Sequence, residues 1–238
     1  MIGRPDDAAN IVILCGAGLS VAAGVPRFHE QDATWHGHRV GDLATLRGWQ
    51  THPDEVRAFY DDCRAQLAAM LPTPAHDAVA RLQARWGPTR VTLLTQNIDG
   101  LLEKAGAPTV IDVHGCLMRL ACEDDPTHPV VGVFGNQNPA QRCRLCKAPM
   151  RPDVTWFGEA PRFDAEVDAA LRACRLFLSV GVSSESRRAA AYAQLAKDSG
   201  ARTVEINPKP TGGPFDEVIA EPAAEALARI IGSWLDET

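Results

Sequence analysis

The sequence predicts an α/β chain in which a doubly wound parallel sheet carries a smaller, inserted lobe. Three observations lead there. Apolar runs at Ile11–Leu14, Val91–Thr95, Leu176–Val180 and Thr203–Ile206 are continuous rather than alternating, as strands buried on both faces must be. Segments with one apolar face lie between them, so strand and helix alternate and the strands run parallel. Residues 28–74 and 115–153 break the alternation, and the second of these stretches holds four of the seven cysteines.

The 238 residues suffice for one sizeable core plus a small module. With 45% hydrophobic and 23% charged residues, the chain is neither disordered nor fibrous in type. A net charge of -6 gives no general attraction to nucleic acid or anionic membrane, so neither is an expected partner. Arg142, Arg144, Lys147 and Arg151 cluster locally and read as a solvated rim. No apolar run approaches the ~20 residues that span a bilayer. The opening MIGRPDDAAN lacks the apolar segment of a signal peptide. An odd number of cysteines without an export signal points to a reducing cytoplasm, where clustered thiols bind metal before they pair as disulfides.

The first strand runs into CGAGLSVAAGVPRFH, Cys15 to His29. Gly16 and Gly18 can take positive φ and bring backbone N–H groups to an anion, and a helix beginning near Ser20 adds its positive end. The usual dinucleotide fingerprint needs a third glycine, but Val21 stands there and the next glycine is Gly24. The acidic residue expected about 20 residues on falls in HEQDATWHGH, which is no strand. An ordinary hydride-transfer dehydrogenase therefore fits poorly. Within the first insertion a helix is expected over Pro53–Met70. Ala75–Trp86 then places Ala78, Val79, Leu82 and Trp86 on one face.

The second strand ends in TQNIDGLLEKAG, Thr95 to Gly106, presenting two amides and a carboxylate. Such groups suit a carboxamide and ribose hydroxyls; Asn97 and Asp99 equally suit the cap of a helix starting at Gly100. The segment VIDVHGC puts His114 after a short β-branched run, where it can act as a general base, although a single histidine is more often structural. Cys143-Arg-Leu-Cys146 is a CxxC knuckle, with Cys122 upstream at a zinc-ribbon spacing. The fourth ligand is open among Asp125, Cys116, Glu123, Asp124 and His128. Asp125, three after Cys122, occupies the knuckle position. No base flanks the thiols, so structural zinc is favoured over redox chemistry. Helices over Arg188–Lys197 and Ala223–Leu235 complete the alternation. Because ligands sit at the carboxyl ends of such sheets, the loops GAG at 16–18, TQNID at 95–99 and GVSS at 181–184 should converge.

Taken in order, GAGLSVAAGVPRF, TQNIDGLLEKAG, VHG, the CxxC followed by MRPDVTWFGE, and VEINPKPT resemble the sirtuins, NAD-dependent protein lysine deacylases, from about Asn10 to Leu235. The short zinc module and the helix EVRAFYDDCRAQL most resemble the bacterial class that also removes acidic acyl groups. The resemblance implies a Rossmann-like NAD-binding domain from 1–27, 75–114 and 154–238, and a small lobe from 28–74 and 115–153. It implies NAD and structural zinc as cofactors, acylated lysine of proteins as substrate, and release of nicotinamide and O-acyl-ADP-ribose. Gly16, Ala17, Gly18 and Ser20 would hold the pyrophosphate, with Gly24, Phe28 and His29 completing the cofactor loop. Gln96 and Asn97 would meet the nicotinamide-side ribose, Asp99 the carboxamide, and Ile98 would also contact the cofactor. His114 would be the general base, forming the catalytic set with Asn97 and Asp99. Gly181 and Ser183 would line the adenosine half, Asn207 its ribose, and Ala223 would also contact the cofactor. Val154, Phe157, Gly158 and Glu159 would flank the substrate peptide, with Tyr60 beside them. A sirtuin-fold NAD hydrolase, ADP-ribosyltransferase or NAD sensor is the alternative.

Several positions depart from the family pattern. The loop ends Phe28-His29, preceded by Arg27, where the family carries Phe-Arg. The family's GTS is Gly181-Val182-Ser183, and Glu185, Arg187 and Arg188 follow where proline and valine are usual. The tyrosine–arginine pair that reads an acidic acyl group is Tyr60 with Cys63. Arg64, one step on, is turned by about 100° along a helix, so succinyl-lysine preference is not expected unless Arg27 supplies the charge from the loop.

Overall fold

The structure, a computed structural model, describes residues 2–25, 34–160, 162–184 and 186–236. The chain opens with β1 (Ile11–Cys15), a single-turn α1 (Ala17–Ser20) and a 3-10 turn over Val21–Ala23. A first excursion follows: β2 (Thr34–Trp35), β3 (His38–Arg39), α2 (Val40–Leu43), α3 (Leu46–Thr51) and α4 (Pro53–Ala68). Then come α5 (Pro74–Trp86), β4 (Val91–Thr95), α6 (Leu101–Lys104) and β5 (Ile111–Asp112). A second excursion comprises β6 (Gly115–Cys122), β7 (Val131–Gly132) and β8 (Met150–Val154). The chain ends with α7 (Asp164–Ala173), β9 (Leu176–Val180), α8 (Arg187–Asp198), β10 (Arg202–Ile206), β11 (Glu217–Ile219) and α9 (Ala223–Asp236).

The main sheet has six parallel strands in the order β11-β10-β9-β1-β4-β5. The continuous apolar runs are explained by its two covered faces. Ile11, Ile13 and Cys15 point into the layer of α5 and α9, while Val12 and Leu14 point into that of α7 and α8. Trp234 of α9 is fully buried, stacks on Trp86 of α5, and donates its indole N–H to the Ile2 carbonyl at 3.1 Å. Winding proceeds from β1 to β4 on one side and later to β9 on the other. The crevice at the carboxyl end of β1 is therefore the topological switch point, where this class of sheet binds ligands.

The smaller lobe is a three-stranded antiparallel sheet, β7-β6-β8, covered by the helices of the first excursion. Val56, Phe59, Tyr60, Cys63 and Leu67 of α4 pack with Leu117, Val154 and Trp156. Pro53 and Pro74 start α4 and α5, where a missing N–H costs nothing. Arg64 is turned away from the cleft as expected: its Nε donates to the Leu117 carbonyl at 2.9 Å and its Nη1 to Asp61 and, at 3.0 Å, the Gly135 carbonyl. Its side chain is 1% exposed, so it is an internal strut of the lobe. The lobes join at Gly115, whose φ is +81° and whose missing Cβ would lie 2.0 Å from the Asp153 carbonyl oxygen. Arg119 of β6 clasps that joint, pairing with Asp112 at 2.6 Å and Asp153 at 2.9 Å. Among the described residues no helix is long and apolar enough to cross a membrane.

Candidate active site and metal centre

Strand ends converge as the topology requires, but the glycine loop works differently from the expectation. Gly16 has φ -115° and Gly18 lies within α1, so neither uses a left-handed conformation. Their N–H groups donate to the Val180 and Gly181 carbonyls, at 2.9 and 2.8 Å. A Cβ on Gly16 would meet the Gly181 oxygen at 2.7 Å, and one on Gly18 the Gly181 Cα at 2.6 Å. These glycines let two loop backbones touch. The helix expected near Ser20 begins at Ala17 instead and lasts one turn.

Beneath this loop is a closed hydrogen-bond network. The Thr73 N–H donates to His76 Nδ1 at 3.2 Å, which makes Nε2 the protonated nitrogen, 3.3 Å from Ser20 Oγ. Ser20 also accepts from Asn97 Nδ2 at 3.2 Å and donates to Asp99 Oδ2 at 2.6 Å. The second Asp99 oxygen accepts the Leu101 N–H at 2.9 Å, so Asp99 caps α6 while facing the cleft. Asn97 reaches back to the Gly16 carbonyl at 3.0 Å rather than capping. Burial lowers the His76 pKa, against the pull of Asp99, and keeps the ring neutral. Sequence reasoning missed His76. Its available signal was the capping-box spacing Thr73-x-x-His76, with histidine in the place of the usual Glu or Gln.

His114 follows β5 by two residues. Its Nδ1 lies 3.0 Å from the Gln96 carbonyl, which can only accept, so Nδ1 carries the proton and Nε2 keeps a lone pair. Burial depresses its pKa below 6.5, the Gln96 carbonyl opposes this, and the nearby Arg188 guanidinium adds to it. A neutral imidazole with a free lone pair is a competent base. Gln96 is held by Ser186, the N-cap of α8, at 3.1 Å.

Ala17, Ser20, Gln96, Asn97, Ile98, Asp99, His114 and Ser183 line a single cavity of about 480 Å³. Tyr60, Val154, Phe157, Gly158 and Glu159 line its other wall, together with Val25, Ala44 and Trp156. Arg151 fixes that wall with paired bonds to Glu159 at 2.7 and 2.9 Å, its guanidinium 3.3 Å from the Trp156 ring centre. Burial alone would raise the Glu159 carboxyl; the Arg151 bonds and the Trp156 N–H outweigh it and hold the group ionised. Burial pushes the Tyr60 phenol far up, so it stays neutral. Gly181 lies behind the cavity against Gly18; Asn207 donates to the Val182 carbonyl at 2.7 Å, and Ala223 opens α9 in the core. Gly24, with φ +81°, ends the 3-10 turn. Arg27, Phe28 and His29 lie outside the described residues.

The metal centre corrects one assignment. Cys122, His128, Cys143 and Cys146 bring one ligand atom each within 4.8 Å of one another. Cys122 Sγ to Cys146 Sγ and Cys143 Sγ to His128 Nδ1 are both 3.4 Å, near the separations of about 3.8 Å between two sulfurs and about 3.5 Å between sulfur and nitrogen in a tetrahedral zinc site. Backbone N–H groups, that of Cys146 above all, draw the Cys143 thiol down to about 6, favouring the thiolate a metal needs. The four donors fit structural zinc. Asp125 is not the fourth ligand: its carboxylate accepts from Thr127 at 2.9 and 2.6 Å and stands 3.4 Å from His128 Nε2, behind the imidazole. A turn that points the histidine inward overrides the three-residue spacing that favoured the aspartate.

The profile of the Sir2 family matches residues 16–187. An NAD-dependent protein deacylase of Shigella flexneri is 38% identical over 233 residues, spanning 95% of this chain and 84% of that protein. One of Vibrio parahaemolyticus is 39% identical over 206 residues, 85% of this chain and 84% of that protein. Among solved structures, a Sir2 homologue in complex with NAD superposes with a TM-score of 0.83 at 26% identity, covering 97% and 91% of the two chains. A mutant Sir2 homologue in complex with 2'-O-acetyl ADP ribose gives 0.80 at 27% identity, covering 97% and 94%.

Proposed function

Because the chain belongs to the Sir2 family, we propose that it is an NAD-dependent protein lysine deacylase acting on acylated lysine and releasing nicotinamide and O-acyl-ADP-ribose. The observation that carries this reading is the tautomer of His114, fixed with its lone pair on Nε2 in the cavity that Asp99 and the Phe157–Glu159 turn also line. Bound NAD supplies a ribose carbon that loses nicotinamide and accepts the acyl oxygen.

The residues around it have separable tasks. His114 takes a proton from a ribose hydroxyl through Nε2. Ser20 holds Asp99, which orients the nicotinamide amide, and Asn97 and His76 hold Ser20. Ala17 and Ser183 belong to the cofactor side of the cavity, in the segments 1–27, 75–114 and 154–238. The peptide runs past Val154, Phe157, Gly158 and Glu159, and the apolar walls exclude water from the lysine. Segments 28–74 and 115–153 form the small lobe, which zinc stabilises away from the reaction. Tyr60 has no arginine three residues on: Cys63 is buried in the lobe core and Arg64 is tied to Asp61. This supports uncharged acyl groups over succinyl.

The test is incubation with NAD and a panel of acylated peptides, following nicotinamide and O-acyl-ADP-ribose by mass spectrometry. Peptide-dependent release of both is the expected result. Nicotinamide release independent of peptide identifies an NAD hydrolase, and labelled protein an ADP-ribosyltransferase; either overturns the reading.

A further inference from the structure

Arg188 is the sole lysine or arginine among the described residues that line the cavity. It stands on the first turn of α8, and that turn is anchored. Ser186 accepts the Ala189 N–H at 3.3 Å and exchanges bonds with the Gln96 side chain at 3.1 and 3.4 Å. The Arg188 guanidinium meets Asp164 at 3.0 Å and the Tyr192 hydroxyl at 3.4 Å, both through Nη1. The Arg188 and Asp164 side chains are 34% and 63% exposed, so this is a rim pair of small worth, exchangeable for another carboxylate. Of the Phe157–Glu159 turn that also lines the cavity, Phe157 is half-exposed, and Glu159 is held by paired bonds from Arg151. A lysine entering from solvent brings its flanking residues past the solvent-exposed members of this lining, among them Phe157 and Arg188. Among the described residues, the cavity thus offers an incoming chain a single exchangeable cation.

We propose that Arg188 selects substrates by binding a carboxylate, from an aspartate or glutamate close to the acylated lysine, in exchange for Asp164. A planar guanidinium takes a carboxylate in paired bonds, a geometry an ammonium cannot reproduce. The inference rests on the deacylase reading and refines it: the acyl group is uncharged, and the negative charge that Arg188 reads lies on the peptide.

The experiment uses acetyl-lysine heptapeptides in which each flanking position carries aspartate in one peptide and asparagine in its twin. At one or two positions the aspartate peptide should exceed its twin in kcat/KM by about fivefold at low salt. That ratio should fall to one in Arg188→Ala, survive partly in Arg188→Lys, and rise in Asp164→Asn, which removes the competitor. It should also shrink as salt screens the rim. A ratio of one at every position in the unmodified protein overturns the proposal, as does a ratio unchanged by Arg188→Ala. If Arg188→Ala instead raises KM for NAD and leaves the peptide ratio intact, the guanidinium serves the cofactor and the proposal fails. Fluorescence anisotropy with labelled twins measures the same ratio as relative Kd without turnover. A protein that discriminates the twins but does not deacylate them refutes the deacylase reading while upholding the role of Arg188.

Discussion

The Nδ1 of His114 and the backbone carbonyl of Gln96 are 3.0 Å apart, so the loop after β4 determines which nitrogen of the histidine after β5 can accept a proton. His114→Ala removes that acceptor. Peptide-dependent nicotinamide and acyl-ADP-ribose formation should fall by about 10²–10⁴-fold. NAD binding, measured by calorimetry, should largely survive, because the amides and carboxylate of Gln96, Asn97 and Asp99 remain. Undiminished turnover would refute the role assigned to His114.

The pH profile follows from the same ring. Its pKa is held below 6.5, chiefly by burial, and only the neutral form is a base. As pH falls, kcat/KM should stay level to about 6.5 and decline below it, as the imidazole protonates. Arg188→Ala removes a cation that disfavours imidazolium, so the midpoint of this limb should move up. A limb centred above 6.5 in the unmodified protein contradicts the burial argument.

Zinc should be present at about one ion per chain by elemental analysis. Cys143→Ser and His128→Ala should each lose it, whereas Asp125→Ala should keep it. Chelation should lower the melting temperature through the small lobe, since metal binding and folding are coupled there. Full zinc in His128→Ala, or its loss in Asp125→Ala, would restore the aspartate as ligand.

Gly181 has φ +62°, and a Cβ there would lie 2.6 Å from the Gly18 Cα. Gly181→Ala should therefore cost about 2–5 kcal/mol through backbone strain and overpacking. Gly3→Ala, with open space around it, should leave the urea midpoint unchanged. Equal midpoints for the two variants would show that the loops separate easily.

Arg64→Ala leaves Asp61 buried without its cation and should cost about 3–5 kcal/mol. Preference among acetyl, propionyl and succinyl peptides should not change, since the guanidinium points into the lobe. A selective change in succinyl turnover would place Arg64 at the acyl group after all.

The four central strands of the main sheet were legible almost residue by residue, because strands covered on both faces need unbroken apolar runs, whereas the edge strands β5 and β11, two and three residues long, are too short to show one. The sequence also carried the cavity: strand-end polar residues such as Gln96, Asp99 and His114 are recognisable when each follows such a run. What it concealed depends on contacts between distant segments. His76 lies 56 residues from Ser20, and nothing near either residue announces their bond. The roles of Gly16 and Gly18 were misread because a glycine needed for close backbone contact looks the same as one needed for a left-handed turn. His128 and Asp125 were separable only once the turn between Cys122 and Cys143 had a shape.

His114 and Gly115 are neighbours, one following the last strand of the large sheet and the other beginning the first strand of the small lobe. The proton acceptor therefore sits at the junction of the two sheets. Arg119 ties Asp112, two residues before that histidine, to Asp153 of β8, so the sheet of the small lobe helps to set where the imidazole stands, and damage to that lobe should be felt at the base itself.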